Sequence, residues 1–182
     1  MATCIILIDG SNFFFKLKDL GLNRLLAFDF SAFAPSLALG NAVRATRYYV
    51  GRIRTDGSAP AQRVFDEQQR FLAHLKKHHV AYSLGYLLKT DSGFHEKGVD
   101  VNIAVDMLVA AYTKQCERII LVSSDTDLLP AIKQARAQGV IVEYIGFAHK
   151  PSVALVANCS ASRLLTKETL APFVKPALTK TA

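Results

Sequence analysis

Residues 121–129 read LVSSDTDLL, and this stretch decides the fold because it joins a buried strand to a helix through an acidic turn. The preceding run, residues 118–122 (RIILV), is apolar and rich in β-branched residues, which is typical of a strand buried on both faces. Asp125 and Asp127 follow in the turn, before residues 128–132 (LLPAI) begin a helix. In an open parallel sheet, ligands bind in the crevice beyond the carboxyl ends of the strands. Two carboxylates at such an edge repel each other and lose hydration, so the stretch predicts a cation between them.

The same pattern occurs at the N-terminal end of the chain. Residues 4–8 (CIILI) form a second unbroken apolar run, which Asp9 ends. Gly10 permits a sharp turn, and Ser11 or Asn12 can cap the helix that follows. The alternative interpretation of Asp9 is a local cap or turn former. An acid that ends a buried strand nevertheless favours a place at the same sheet edge as Asp125.

A third acid precedes a helix predicted over residues 103–112, whose apolar residues recur at intervals of three and four. Asp100 falls on the first turn of that helix, so we expect it to point along the end of the sheet toward Asp9 and Asp125. The alternative is an N-terminal acid that interacts only with free amides and the helix dipole. Asp106 lies roughly 240° further around the helix, which disfavours it as a partner of Asp100.

The positive charge of the chain indicates the kind of partner that it binds. A formal charge of +7 and a pI of about 9.4 favour a polyanion such as nucleic acid. The predicted second strand, residues 42–53 (AVRATRYYVGRI), mixes arginines with Tyr48 and Tyr49, a combination suited to phosphate contacts and base stacking. The alternative is a solvated strand end with both tyrosines in the core. The side chains that we expect to contact nucleic acid are Arg47, Arg52, Arg54 and Lys97.

Alternating strands and helices predict a three-layer α/β/α fold, Rossmann-like, with a mainly parallel central sheet. Residues 80–88 are interpreted as one strand of that sheet, and residues 89–98 as a polar loop. We place a single domain at residues 1–165. Residues 166–182 lack periodicity and carry several lysines, so they are interpreted as a basic C-terminal tail that can move and touch nucleic acid.

Several sequence features indicate the cellular location of the protein and exclude some classes of enzyme. The three cysteines are widely spaced and form no C-x-x-C pair, which favours a reducing compartment. The N-terminus lacks the basic segment of a signal peptide, and no apolar run approaches the ~20 residues of a membrane span. These observations predict a cytoplasmic protein without membrane contact. The signatures of triphosphate-binding, dinucleotide-binding and serine-hydrolase sites are absent.

The acids that fall at strand ends or helix starts are Asp9, Asp100, Asp125 and Asp127. Such hard oxygen ligands, with few cysteines or histidines near them, suit Mg²⁺ or Mn²⁺ rather than zinc. One or two such ions could polarise a phosphodiester, activate water and stabilise the leaving oxygen.

Three motifs in this order also resemble a known family: residues 5–12 (IILIDGSN), 97–106 (KGVDVNIAVD) and 121–129 (LVSSDTDLL). Together they look like the NYN domain, the LabA-like branch of the PIN-like nucleases, over roughly residues 1–150. The resemblance implies a Rossmann-like, PIN-like fold and metal-dependent ribonuclease activity on RNA. It assigns the metal site to Asp9, Asp100, Asp125 and Asp127, with support from Asn12 and Ser124, and places Asp106 at a recurrent family position.

One departure from the family pattern concerns the third motif. The usual Gly-Asp-Gly-Asp-Phe is here Ser-Asp-Thr-Asp-Leu at residues 124–128, so the acids are kept while their small and aromatic neighbours change. Two other functions therefore stay open. One is a non-catalytic RNA-binding or regulatory module, and the other is a phosphohydrolase in which Asp9 attacks phosphate. We consider two partners for the chain. One is RNA, and the other is a second copy of the same chain in a homo-oligomer.

Overall fold

A computed structural model describes residues 1–90 and 93–175 of the 182-residue chain. Its centre is a six-stranded, all-parallel sheet with the strand order β3-β2-β1-β6-β7-β8, beside a separate antiparallel pair, β4-β5. The strands are β1 (Thr3–Asp9), β2 (Ala42–Val50), β3 (Ala81–Leu84), β4 (Tyr86–Thr90), β5 (Gly93–Lys97), β6 (Arg118–Val122), β7 (Ile141–Phe147) and β8 (Ala161–Leu165). The predicted α/β class with a parallel central sheet is confirmed.

Helices cover both faces of this sheet. They are α1 (Gly10–Asp19), α2 (Phe30–Ala38), α3 (Ala59–Lys77), α4 (Val99–Tyr112), α5 (Leu129–Ala137), α6 (Val153–Asn158) and α7 (Lys167–Leu170). Successive side chains of a strand point to opposite faces, so β1 contributes to two cores. Ile6 and Ile8 pack with α1, α2, α3 and α7, whereas Ile5 and Leu7 pack with α4, α5 and α6. Burial on both sides explains why β1 is an unbroken apolar run.

The order of the strands determines where a site can form. From β1 the chain adds β2 and β3 on one side, then returns through α4 to place β6 on the other side of β1. In the β1–β6 pairing, Ile8 lies opposite Val122, so the residues that follow them, Asp9 and Ser123, emerge side by side. The sheet reverses its direction of growth between β1 and β6, and such a switch point opens a crevice at the carboxyl ends of the strands.

The prediction of a single strand over residues 80–88 is wrong, because the structure divides this segment between two strands. β3 ends at Leu84, and β4 starts at Tyr86 and pairs antiparallel with β5. The break falls at Gly85, where an added Cβ would lie 2.8 Å from Val99 Cγ2, so the start of α4 leaves no room for a side chain. The predicted loop over residues 89–98 therefore contains β5, and residues 91–92 lie outside the described part of the chain.

The first ten residues beyond the predicted domain boundary at residue 165 also pack onto the core. Thr166 caps α7, and Leu170 is fully buried. The ring of Phe173 lies 6.1 Å from that of Phe28, and the backbone carbonyl of Phe173 accepts a 2.7 Å hydrogen bond from the Asp29 amide. A short segment whose apolar contacts are Leu170, Phe173 and Val174 carries little periodicity, so the sequence predicted a tail here. Residues 176–182 of the predicted tail lie outside the described residues.

Two further observations concern the surface and the thiols. Across residues 1–90 and 93–175, each helix is too short or too polar to cross a bilayer. Cys4, Cys116 and Cys159 are buried free thiols in this part of the chain. Burial raises the pKa of the Cys159 thiol to about 11, which keeps it protonated and unreactive at neutral pH.

Candidate metal site at the carboxyl edge of the sheet

Three carboxylates from distant parts of the chain meet at the switch point. Asp9 ends β1, Asp125 follows β6 by three residues, and Asp100 lies in the first turn of α4. One carboxylate oxygen from each side chain lies within 4.8 Å of the other two. Asp9 is buried, while Asp100 and Asp125 are half-buried, so the group opens toward solvent on one side.

The Asp9 carboxylate is held from two directions. Its Oδ1 accepts a 3.0 Å hydrogen bond from the backbone amide of Asn12, and its Oδ2 accepts a 2.8 Å bond from the Ser123 hydroxyl. Asp9 therefore caps α1, as the alternative interpretation held, but its second oxygen is bound to the turn after β6. Burial raises the pKa of Asp9, and the negative charge of Asp125 raises it further, against the lowering effect of the two hydrogen bonds.

Asp125 is also held by hydrogen bonds, and Asp100 is influenced by the charges of its neighbours. Asp125 Oδ1 accepts a 2.9 Å hydrogen bond from the Asp127 amide, and the Asp125 amide donates to the Ser123 hydroxyl oxygen at 3.1 Å. Burial raises the pKa of Asp100, and the charges of Asp125, Asp9 and Asp127 raise it further. The site thus concentrates negative charge without a neutralising side chain inside the group of three. A cation placed between the oxygens would remove that repulsion.

A buried acceptor belongs to Asn12, the residue whose backbone amide donates to Asp9. Within the described residues, the side-chain oxygen Oδ1 of Asn12 is buried and lacks a hydrogen-bond partner, although the backbone amide of Asn12 donates to Asp9. A buried acceptor left unpaired costs about 1–3 kcal/mol, and a bound ligand or ion would remove that cost. The three carboxylates offer oxygen ligands, which suit a hard divalent cation.

Other residues that the sequence placed at the metal site have different neighbours. Asp127 is exposed and lies outside the group of three, although its charge acts on Asp100. Asp106 Oδ2 lies 2.8 Å from Arg47 Nη1 and accepts a 2.6 Å hydrogen bond from the Tyr49 hydroxyl. The position of Asp106 therefore follows the helical wheel, on a different side of α4 from Asp100.

Two adjacent serines follow β6, and their hydroxyls have different partners. The sequence pointed to Ser124, but its hydroxyl lies 3.1 Å from the Tyr144 hydroxyl on β7. Ser123 is instead the residue that joins Asp9 to the Asp125 turn. The register of β1 and β6 explains the role of Ser123. Ser123 directly follows Val122, which pairs with Ile8, and Asp9 directly follows Ile8.

The basic and aromatic segment of β2 divides between core and surface. Tyr48 and Tyr49 are buried, so the prediction that they stack on bases is wrong and the core alternative is correct. The Tyr48 hydroxyl donates a 3.1 Å hydrogen bond to the Gly10 carbonyl, and a side chain at Gly10 would collide with the Tyr48 ring. The other predicted nucleic-acid contacts divide too: Arg47 is paired with Asp106, whereas Arg52, Arg54 and Lys97 are exposed.

Comparisons with known proteins identify a family and similar solved structures. The family model of the NYN domain matches residues 3–165. A crystal structure of a protein of unknown function from Vibrio parahaemolyticus is similar, with 20% sequence identity and a TM-score of 0.65, covering 90% of this chain and 93% of that one. The zinc-bound T5 5′-exonuclease shows 14% identity and a TM-score of 0.47, covering 85% of this chain and 60% of that one. None of the curated proteins matches the chain.

Proposed function

The chain belongs to the NYN domain family, and on this premise we propose that it is a metal-dependent ribonuclease that hydrolyses phosphodiester bonds of RNA. The observation that carries the proposal is the convergence of Asp9, Asp100 and Asp125, whose carboxylate oxygens lie within 4.8 Å of one another at the switch point. The net charge of +7 supports an anionic substrate. The acids form a local negative site on a positively charged protein, a combination that would suit a divalent cation together with an anionic substrate.

In this proposal Asp9, Asp100 and Asp125 hold Mg²⁺ or Mn²⁺, and Asp127 contributes from the solvent side. A divalent ion bound there would polarise the scissile phosphate and favour attack by water. The unpaired Asn12 Oδ1 supports such a site, because it offers one more oxygen from the residue whose backbone amide donates to Asp9.

The protein's own contribution is to orient these acids before substrate binds. The Ser123 hydroxyl and the Asn12 amide hold the two oxygens of Asp9, so rotation of that carboxylate is restricted. The Asp127 amide restricts Asp125 in the same way. Pre-oriented charged groups need no rearrangement during the reaction, which is a principal source of rate enhancement. The exposed cations Arg52, Arg54 and Lys97 are proposed to contact the phosphates of the RNA.

The test is cleavage of single-stranded and structured RNA in Mn²⁺ or Mg²⁺, comparing wild type with Asp125→Asn. We expect the substitution to lower the cleavage rate by about 100-fold or more, the scale of losing one electrostatic stabiliser. Asp66→Asn is the matched control, because Asp66 is an exposed acid on α3. Equal rates for wild type and Asp125→Asn would remove the assignment of the site.

A second candidate is a non-catalytic RNA-binding module that keeps the acids without turnover. The observation that favours it is the third motif, in which Thr126 and Leu128 replace the usual glycine and phenylalanine. Leu128 is buried, so this change alters packing next to Asp125 and Asp127. RNA binding that persists in EDTA, without cleavage in Mn²⁺ or Mg²⁺, would identify this function.

A further inference from the structure

A large cleft begins beside the acidic site on the α1 face of the sheet. Its volume is about 880 Å³, and its walls come from α1, residues 23–27, the end of β2 and α3. Gly10 and Ser11 form part of its lining, and they directly follow Asp9 in the chain. The lining of the cleft therefore begins at the residue after Asp9 in the chain. Its size is within the range of about 300–1,000 Å³ typical of small-molecule sites.

The walls of the cleft are apolar and unusually exposed. Phe15 on α1 is 60% exposed, Leu26 is 51% exposed, and Val64 on α3 is 48% exposed. The Phe14 and Phe15 rings lie edge to face, with centroids 5.6 Å apart. Large apolar side chains that cluster around a concave surface mark a binding site rather than ordinary surface composition. Aromatic rings of this kind provide stacking surfaces for planar ligands.

Positive charge continues along the same surface. Arg24 and Arg70 belong to the cleft lining, together with one acid, Glu67. A second depression of about 550 Å³ shares Ile53 and Gln68 with the cleft, and its lining includes two more arginines, Arg52 and Arg54. The basic residues therefore border the apolar surface on more than one side.

The junction of the two depressions is fixed by a buried side chain. Gln68 donates a 2.7 Å hydrogen bond from Nε2 to the Gly51 carbonyl, and its Oε1 accepts a 2.9 Å bond from the Ile53 amide. These bonds attach the chain after β2 to α3. The surface between the cleft and the neighbouring arginines is thereby formed before any ligand arrives.

We propose that this cleft receives unstacked nucleobases of single-stranded RNA next to the scissile phosphate, while the bordering arginines contact the backbone. The inference rests on the proposed function for the identity of the polymer. An apolar wall with exposed rings and cationic borders matches a strand that presents flat bases and phosphates together. A duplex keeps its bases stacked inside the helix, so it cannot offer them to Phe15. Single-stranded RNA is accordingly the favoured substrate.

The test measures binding without cleavage, by fluorescence anisotropy of a labelled single-stranded oligoadenylate in EDTA. We expect Phe15→Ala to weaken binding by about five- to 100-fold, the range for losing one stacked base. Leu26→Ala, in the 23–27 segment of the lining, should also weaken binding, through lost apolar contact with a base. Tyr112→Ala is the matched control, because Tyr112 is 55% exposed on α4, on the other face of the sheet. Arg24→Gln should reduce the slope of log affinity against log salt by about 0.7 if it removes one phosphate contact.

Three results would overturn the inference: wild-type affinity in both Phe15→Ala and Leu26→Ala, equal affinity for the corresponding duplex, or conversion of a wild-type dimer to a monomer by Phe15→Ala in size-exclusion chromatography. The last result would identify a second copy of the chain as the occupant. Failure of the ribonuclease proposal is a separate outcome, because it concerns cleavage in Mn²⁺ or Mg²⁺. Binding that depends on Phe15, in a protein that cleaves no RNA, would support the cleft inference and reject the nuclease.

Discussion

Replacing Asp100 by the isosteric asparagine should stabilise the metal-free protein. An Asp100 oxygen lies within 4.8 Å of oxygens of both Asp9 and Asp125. At that distance two unit charges repel by about 3 kcal/mol if the effective dielectric constant is about 20. Asp100 is half-buried, so solvent screening reduces this value, and we expect a net gain of about 1–2 kcal/mol in the free energy of unfolding. For a protein of this size, that gain raises Tm by about 2–8 °C.

The pH dependence of this gain follows from the raised pKa of Asp100. In the folded protein the pKa lies above the ordinary value of 3.8, mainly because burial and neighbouring charges disfavour the ionised form. A carboxyl with a raised folded pKa contributes its full stability below the unfolded pKa and loses it as the pH rises through the folded pKa. The stability difference between Asp100→Asn and wild type should therefore be largest near neutral pH and vanish as the pH falls below 3.8.

Thermal unfolding followed by circular dichroism in EDTA measures the effect, with Asp66→Asn as a control that should change stability by less than about 0.5 kcal/mol. Adding Mn²⁺ should reverse the order. An ion at 100 times its dissociation constant stabilises the folded state by about 2.7 kcal/mol, and the variant has lost one of the ligands that would bind it. An Asp100→Asn protein that is no more stable than wild type in EDTA would refute the reasoning, because the three charges would then not repel as their geometry implies.

The remaining predictions concern the residues that support the site and the fold. Ser123→Ala removes a hydrogen bond to the ionised form of Asp9, so it should raise the pKa of Asp9 further and weaken Mn²⁺ binding by about 10- to 100-fold in titration calorimetry. Gly10→Ala should cost about 1–3 kcal/mol in urea unfolding, because the new Cβ would collide with the Tyr48 ring. Leu170→Ala should cost about 2–5 kcal/mol in the same assay, since the fully buried side chain attaches α7 to the core. An unchanged urea midpoint would place α7 outside the cooperative domain.

The strands of the central sheet were the most predictable part of the fold. Parallel strands covered on both faces are mostly apolar, so β1 and β6 stand out in the sequence as nearly continuous apolar runs. The β4–β5 hairpin was not predictable in this way, because the apolar run over residues 80–88 continues through Gly85. What divides that run is the close approach of Val99 from α4, which is a tertiary contact without a local sequence signal.

The candidate site likewise has features that the sequence predicts and features that depend on tertiary contacts. The convergence of the acids could be predicted, because parallel strands bring their carboxyl ends to one edge. Which of two adjacent serines binds Asp9 could not, because the direction of a side chain after a strand depends on the conformation of the turn. Ser123 donates to Asp9, while Ser124 interacts with Tyr144. The pairing of Arg47 with Asp106 likewise depends on how α4 packs against β2.

Folding alone does not explain why three carboxylates meet at this edge. Asparagine caps a helix about as well as aspartate, so the cap of α1 does not require a charge at Asp9. Burial and mutual repulsion raise the pKa of both Asp9 and Asp100, which means that their ionised forms destabilise the metal-free fold at neutral pH. Neutral residues at these positions would be more stable, and natural proteins keep such destabilising groups where activity needs them. The acids at the switch point therefore support the proposed cation site, because the fold alone gives no reason to keep them.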